Sequence, residues 1–287
     1  MLRRRFRAMG TEVELVVDAP LGARAFGAVA EAELELRRLE RVLSRFEPGS
    51  ELSRLNLSRR MAVGPELLEL VELSLAARER TWGRFDPTVH DALVAAGYDR
   101  TFERVPADGT GSGLTPARCA GAVSVDRATS VVELEPGVRL DLGGIAKGYA
   151  ADRAAAVLTR VGPCLVDAGG DIAARGKPWP IGVVTSDGEL TLELAEGGMA
   201  TSGRDRRRWT RSGEERHHLI DPATGRPADG DLVRVTVVAS CAAEAEVLAK
   251  TLFLAGSDAA MAQASAERIP AVLVTRDRRT LLAGGLE

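Results

Sequence analysis

Residues 138–158, VRLDLGGIAKGYAADRAAAVL, run from a β-like segment through paired glycines into an alanine-rich helix. Gly143 and Gly144 carry no Cβ, so backbone N–H groups there can approach an anion closely. A helix starting near Ala146 offers free N–H groups and the positive end of its dipole, which favours phosphate. Lys147, in the first helical turn, adds a full charge. This reading makes Asp141–Tyr149 a strand-to-helix loop that holds the phosphates of a nucleotide. The glycines fall as GGxxxG rather than GxGxxG, and GxxxxGK[ST] is absent, so neither familiar nucleotide fingerprint is present. A tight strand–helix turn with a solvated Lys147 is the alternative.

Outward from this loop, the chain alternates β-like and helical patterns. Thr11–Val17 alternates apolar and polar residues as a half-buried strand does. Helical spacing covers about Gly22 to Arg45, with Leu34, Leu39, Val42 and Leu43 on one side. Pro65 suits the first position of a second helix, running to about Thr81. Thr101–Pro116 is rich in Gly, Pro and polar residues and reads as a surface loop. Short strands are expected at GAVSVD, TSVVELE and VRLDL, then a helix over 146–161, then strands at CLVDA, IAARG and PIGVV. Asp187-Gly188 signals a hairpin. A strand over Leu232–Ala239, a helix over Ala242–Ala255 stopped by Gly256, a further helix and a terminal hairpin complete the pattern. Strands come in runs as well as between helices, so an α+β fold is expected.

Bulk properties narrow the function. Of 287 residues, 45% are hydrophobic and 28% charged, the composition of an ordinary globular chain. A net charge of -3 argues against nucleic-acid or anionic-membrane partners. The basic start, MLRRRFR, reads as a solvated terminus because no apolar leader segment follows. No apolar run approaches the ~18 residues of a membrane span. A cytoplasmic protein is expected. Three scattered cysteines exclude a disulfide framework, and Cys164 reads as a small core residue. Three histidines, His90, His217 and His218, are too few for a multi-histidine metal site.

Other turns place small or hydroxyl residues at strand ends. Asp167–Asp171, DAGGD, is either a second anion-facing glycine pair or a hairpin corner. Ala200–Gly203, ATSG, offers hydroxyl and backbone donors suited to phosphate or ribose oxygens. In HHLIDPATGRP, His218 is either a proton carrier or a structural histidine beside a turn. FDPTVHDAL contains an Asp-Pro turn able to cap a helix. Several such loops suit a ligand larger than one phosphate.

Taken in order, AMGTEVEL, RFEPGSELSRLN, FDPTV, DLGGIAKGYAADRA, LVDAGGDIAARG, ATSGRD, HHLIDPATGRP and AEVLAKTLFLAG resemble the ApbE family of FAD:protein FMN transferases, from Met9 to Gly256. The resemblance implies one ApbE-type (T-fold-like) α+β domain over residues 1–287, with a loop-rich insertion around 101–117. Two interlocked subdomains would carry FAD in a cleft between them. It implies transfer of FMN from FAD to a Thr or Ser hydroxyl of an acceptor flavoprotein, with release of AMP. An FAD-binding protein with weak or lost turnover, and an FAD pyrophosphatase, are the alternatives. By motif position, Met9 contacts the flavin, and Phe46 stands where the family has an aromatic residue. Arg84, Phe85 and Asp86 line the nucleotide, Asp141 and Lys147 hold its adenosine and phosphate part, Ser202 positions the pyrophosphate, and Ile220 contributes through its backbone. His218 falls on the family's histidine.

At the metal position this sequence departs from the family pattern. Where relatives carry D-x-x-x-T, this chain has Glu246 and Lys250. The implied magnesium set is Gly144, Glu246 and Ala249. A protonated Lys250 cannot ligate a metal, but its ammonium can stand in for one and act directly on the pyrophosphate. A helix-surface ion pair between Glu246 and Lys250 is the alternative. The tyrosine usual after the SG turn is also replaced, by Asp205.

Overall fold

The structure, a computed structural model, describes residues 1–109 and 115–286. Its helices are α1 Ala23–Leu43, α2 Glu51–Ser58, α3 Pro65–Arg80, α4 His90–Ala96, α5 Ala146–Leu158, α6 Ala242–Ala255 and α7 Ser257–Glu267. The chain divides into two compact units. The first comprises Met1–Glu40, Ile145–Ser202 and Gly230–Glu287, and the second Arg41–Gly144 and Gly203–Asp229. Helices and largely antiparallel sheets are mixed as an α+β fold requires. The chain passes from the second unit to the first immediately after Gly144, within the glycine loop.

An eight-stranded sheet organises the first unit. In spatial order its strands are Leu2–Ala8, Thr11–Val17, Cys164–Ala168, Asp171–Arg175, Gly197–Gly203, Leu232–Ala239, Ala271–Thr275 and Thr280–Ala283. The edge strand Leu2–Ala8 corrects the expectation of a solvated terminus. Phe6 and Ala8 are buried, while Arg4, Arg5 and Arg7 are exposed and pair with acids: Arg5 with Glu14 at 3.0 Å, Arg7 with Glu12 at 3.0 Å and Arg4 with Glu33 at 2.7 Å. A charged edge of this kind also resists pairing with other chains. On one side of the sheet, Val16, Ile172, Met199 and Val272 pack with Trp179, Ile181 and Val183 of the Trp179–Thr185 strand. That strand pairs with Gly188–Leu194 in the expected hairpin, but the register sets Gly188 opposite Thr185. The turn residues are therefore Ser186 and Asp187, one position earlier than the Asp-Gly signal suggests.

The α1 stripe is also shifted. Leu36 and Leu39 are fully buried and Leu43 nearly so, at helical spacing, whereas Leu34 is 65% exposed. Two residues of helix separate Leu34 from Leu36 by about 200°, so one leucine of the pair must face solvent.

α5 and α6 approach each other and the sheet at backbone distance. A Cβ on Gly148 would lie 2.4 Å from the carbonyl oxygen of Ala242, and one on Gly198 would lie 2.1 Å from its nitrogen. Both positions tolerate only glycine. Each helix also caps the other. Asp152 of α5 accepts the N–H groups of Ala242 (3.1 Å) and Ala243 (3.0 Å), the first two residues of α6. Glu246 of α6 accepts the N–H of Gly148, in the first turn of α5, at 2.9 Å. Neither helix has a side-chain cap from its own N-cap residue, Ile145 or Cys241. Orphan N–H groups are thus satisfied across the helix pair. Cys164, fully buried, donates to Ala155 O at 3.5 Å, and burial pushes its thiol up to about 11, as suits a core residue.

The second unit is built from α2, α3, α4 and three small sheets: Arg60–Ala62 with Val131–Leu134 and Val123–Asp126, Asp108–Gly109 with Arg208–Arg211 and Glu214–His217, and Ile220–Asp221 with Arg226–Pro227. α2 and α4 were not anticipated from hydrophobic periodicity. Ser50 caps α2 by accepting Ser53 N–H at 2.9 Å. The VRLDL stretch is not a strand. Asn56 takes both backbone groups of Leu140, donating to its O at 2.8 Å and accepting its N–H at 2.7 Å, so no strand neighbour is needed. Asp86 does not cap α4 either. Its carboxylate accepts from Thr88 N–H and Oγ1 (2.8 Å each) and from Ala120 N–H (2.8 Å), which ties the turn to the segment beyond the loop. That expected surface loop contains a helical turn at Phe102–Arg104 and the strand Asp108–Gly109; its residues 110–114 lie outside the described residues.

Replacing Gly148 by Ala is expected to cost about 3 kcal/mol, because the methyl group meets backbone rather than a movable side chain. Urea unfolding monitored by circular dichroism would register the loss. A midpoint equal to wild type would mean that α5 and α6 are not held at this distance.

Candidate functional site

The first unit gathers four charged side chains. Lys147, in the first turn of α5, sends its ammonium to two carboxylates, those of Asp171 and of Glu246 (2.6 Å to the latter). Asp171 and Glu246 are each 2% exposed. Asp171 opens its strand after the turn glycines Gly169 (φ 72°) and Gly170 (φ 97°), so DAGGD is a hairpin corner that also delivers an acid. Burial pushes the Asp171 carboxyl up, and Glu246 adds to that push, while Lys147 and then Lys250 oppose it. Lys250 stands one turn beyond Glu246 on α6, close enough for Asp171 to feel its charge. Asp171 was read only as part of a turn. Its signal was the acid that follows the second glycine pair.

The second unit gathers rings around a guanidinium. The Arg45 guanidinium lies over Phe46, 4.1 Å from the ring centre, and over Tyr98 at 4.8 Å. It pairs with Asp141 at 2.5 Å and donates to Tyr98 O at 2.6 Å. Tyr98 neighbours Phe46 (5.5 Å between centroids), Trp209 (5.7 Å) and, edge-on, His218 (6.5 Å, 76°). Ile220 packs in the same cluster. Tyr98 and Trp209 are buried, so of these rings only the part-exposed Phe46 can offer a face to a planar ring system. Arg45 and Tyr98 were missed by sequence reading. Arg45 directly precedes Phe46 in RFEPGS, whereas nothing near Tyr98 distinguishes it.

The remaining candidates fall as follows. Met9 (φ 55°) and Gly10 (φ 65°) form the two-residue turn between Leu2–Ala8 and Thr11–Val17, a left-handed setting that a methionine seldom adopts. Ser202 is buried near the end of its strand, and Ala249 is buried on α6. Phe85 and Asp86 are buried, and Arg84 is exposed. Asp141 accepts Gly143 N–H at 2.8 Å, which fixes the first half of the glycine loop. Gly144 belongs to the second unit, and Glu246 and Ala249 to the first. His217, adjacent to His218, has both ring nitrogens engaged. Its Nε2 donates to Ala228 O at 2.9 Å, and its Nδ1 accepts Leu219 N–H at 3.2 Å. Burial lowers its pKa to about 4, so it stays neutral.

Magnesium requires a near-octahedral shell of oxygen ligands. Here one Glu246 oxygen faces the Lys147 ammonium and the other accepts a backbone N–H, and Asp171 faces the same ammonium. Among the described residues, no group of three or more His, Cys, Asp or Glu side chains could hold a metal ion. As arranged, the acids of the first unit do not fit a divalent cation. Among the described residues, no helix is long and apolar enough to cross a membrane.

A family model described as the ApbE family matches residues 9–273. An FAD:protein FMN transferase of Treponema pallidum is 30% identical over 92% of this chain and 81% of its own length. One from Haemophilus influenzae is 28% identical over 94% and 85%. Among solved structures, the ApbE protein of Thermotoga maritima superposes with a TM-score of 0.84 at 28% identity, covering 98% of this chain and 96% of its own. The flavin transferase ApbE of Vibrio cholerae gives 0.78 at 25% identity, covering 98% and 96%. Sequence and fold therefore agree over nearly the whole length, and the chain belongs to the ApbE family.

Proposed function

We propose that this chain is an FAD:protein FMN transferase that attaches FMN to a Thr or Ser hydroxyl of an acceptor flavoprotein and releases AMP. The observation that carries the reading is the 30% identity, over 92% of the chain, to a relative of that name. In the proposed step the acceptor oxygen forms a bond to the FMN phosphorus. The bond from that phosphorus to the bridging oxygen breaks, and AMP leaves with that oxygen. Phosphoryl transfer of this kind asks the protein for positioning and charge neutralisation rather than covalent help. The part-exposed ring of Phe46, backed by Tyr98 and the Arg45 guanidinium, suits the flat part of the substrate. Asp141 and Lys147 serve its adenosine and phosphate part, Ser202 its pyrophosphate, and Met9 the flavin.

His218 takes the hydroxyl proton in this reading. Its neighbour cannot, since His217 is held neutral with one nitrogen donating and the other accepting. A second reading, an FAD-binding protein without turnover, draws on Glu246 and Lys250 at the positions of the family's Asp and Thr. Incubation with FAD and a Thr-bearing acceptor separates the two by in-gel flavin fluorescence and AMP release. Labelled acceptor with stoichiometric AMP supports transfer, and bound FAD with no AMP supports the second reading.

In the active chain, His218→Ala is expected to slow acceptor labelling about 10²- to 10⁴-fold. FAD affinity should stay within about twofold, and labelling at the wild-type rate would remove His218 from the chemistry.

His217 gives a separate prediction about stability. Its folded pKa, about 4, lies below its usual 6.5, so the unfolded chain binds the proton first as pH falls. The contribution is fully present above about 6.5 and is lost progressively down to about 4, on the order of 3 kcal/mol in all. Urea midpoints across that range should fall more steeply for wild type than for His217→Gln. Parallel slopes would refute the assignment.

A further inference from the structure

Two buried carboxylates, Asp171 and Glu246, share one ammonium, that of Lys147, which is tethered to the first turn of α5. The second Glu246 oxygen is taken by the Gly148 N–H at 2.9 Å. Lys250, one turn along α6, adds a second positive charge. The cluster holds two acids and two lysines and is formally neutral. We infer that Lys147 is the resident cation of this site, supported by Lys250, and that the chain binds FAD without a divalent metal.

The reasoning is electrostatic. A divalent ion entering here would have to displace an ammonium from two desolvated carboxylates, or else raise a neutral cluster to a charge of plus two. A strongly hydrated ion such as magnesium gives up its water reluctantly, and both Glu246 oxygens are already engaged. A lysine on a rigid helix needs no dehydration from bulk solvent each time substrate arrives. Its charge is present before FAD binds, and Lys250 lies on the same helix face as Glu246.

The part of this inference that concerns FAD rests on the transferase reading, and the test separates the two. Mn²⁺ serves as the probe, with its free electron paramagnetic resonance signal reporting binding, first to the protein alone and then with FAD. FAD affinity is read from quenching of flavin fluorescence in magnesium and in chelator. The wild-type chain is expected to leave the Mn²⁺ signal unchanged, and its FAD affinity should agree within about twofold in the two buffers. Bound Mn²⁺, or an affinity at least about tenfold weaker in chelator, overturns the inference.

Lys147→Gln removes the resident cation and is expected to gain Mn²⁺ binding; a folded variant without that gain overturns the inference too. Should Lys147→Gln fail to fold with and without Mn²⁺, the Mn²⁺ measurement on the wild-type chain decides, an unchanged signal supporting the assignment and a bound ion overturning it. A wild-type chain that binds no FAD in either buffer counts against the transferase reading, while the Mn²⁺ measurement on the protein alone still decides the cation.

Discussion

The backbone contact between α5 and α6 is the constraint on which the first unit depends. Gly148 lets the carbonyl of Ala242 come so near that any side chain would be excluded, and Gly198 does the same from the sheet. At that separation Asp152, one turn after Gly148, reaches the start of α6. Glu246, one turn after Ala242, reaches the start of α5. Each helix therefore supplies the anion that the other's N-terminus calls for. Arg175 locks the arrangement by pairing with Asp152 at 3.1 Å while donating to the carbonyl oxygens of Ala174 and Gly197.

This geometry changes what the glycine loop does. Its sequence suggests a helix N-terminus awaiting phosphate, with Lys147 beside it. In the folded chain that N-terminus already receives a carboxylate, and the Lys147 ammonium is already shared by two. The chemistry of the loop is thus divided. Asp141 and Gly143 form its first half by a local hydrogen bond, and the Lys147 end belongs to a closed ionic cluster. Breaking one partner from such a cluster costs far more than the cluster's net contribution, because the remaining charge is left buried and uncompensated.

Legibility in the sequence followed the range of the interactions. Thr11–Val17, α3, α5 and α6 are set by local periodicity, by Pro65 at a helix start and by Gly256 at a helix end, and all were readable. Several of the failures are long-range. Leu140 loses its strand because Asn56, 84 residues away, supplies both hydrogen bonds. The arginines of Leu2–Ala8 look like a solvated tail until Glu12, Glu14 and Glu33 are placed opposite them. Lys147 could not be read as an ion-pair partner because Glu246 lies 99 residues on. Ordered motifs identified the family where single motifs left two readings open, since many weak local signals in a fixed order are far more specific than any one.

Arg45 shows why the ring cluster of the second unit also escaped reading. Only 4% of the chain is aromatic, and Phe46, Tyr98 and Trp209 are widely spaced in sequence. A charge places two of them: Asp141 holds the guanidinium, which lies over Phe46 and Tyr98, while Trp209 neighbours Tyr98 and donates to Ala96 O. Arginine is suited to this because its planar charge is weakly hydrated and stacks readily; lysine would hold the acid without ordering the rings. Both clusters of this chain are therefore organised by a cation held on a carboxylate of the glycine-loop region or its partners. In one the cation lies over rings, and in the other it is shared by two buried acids.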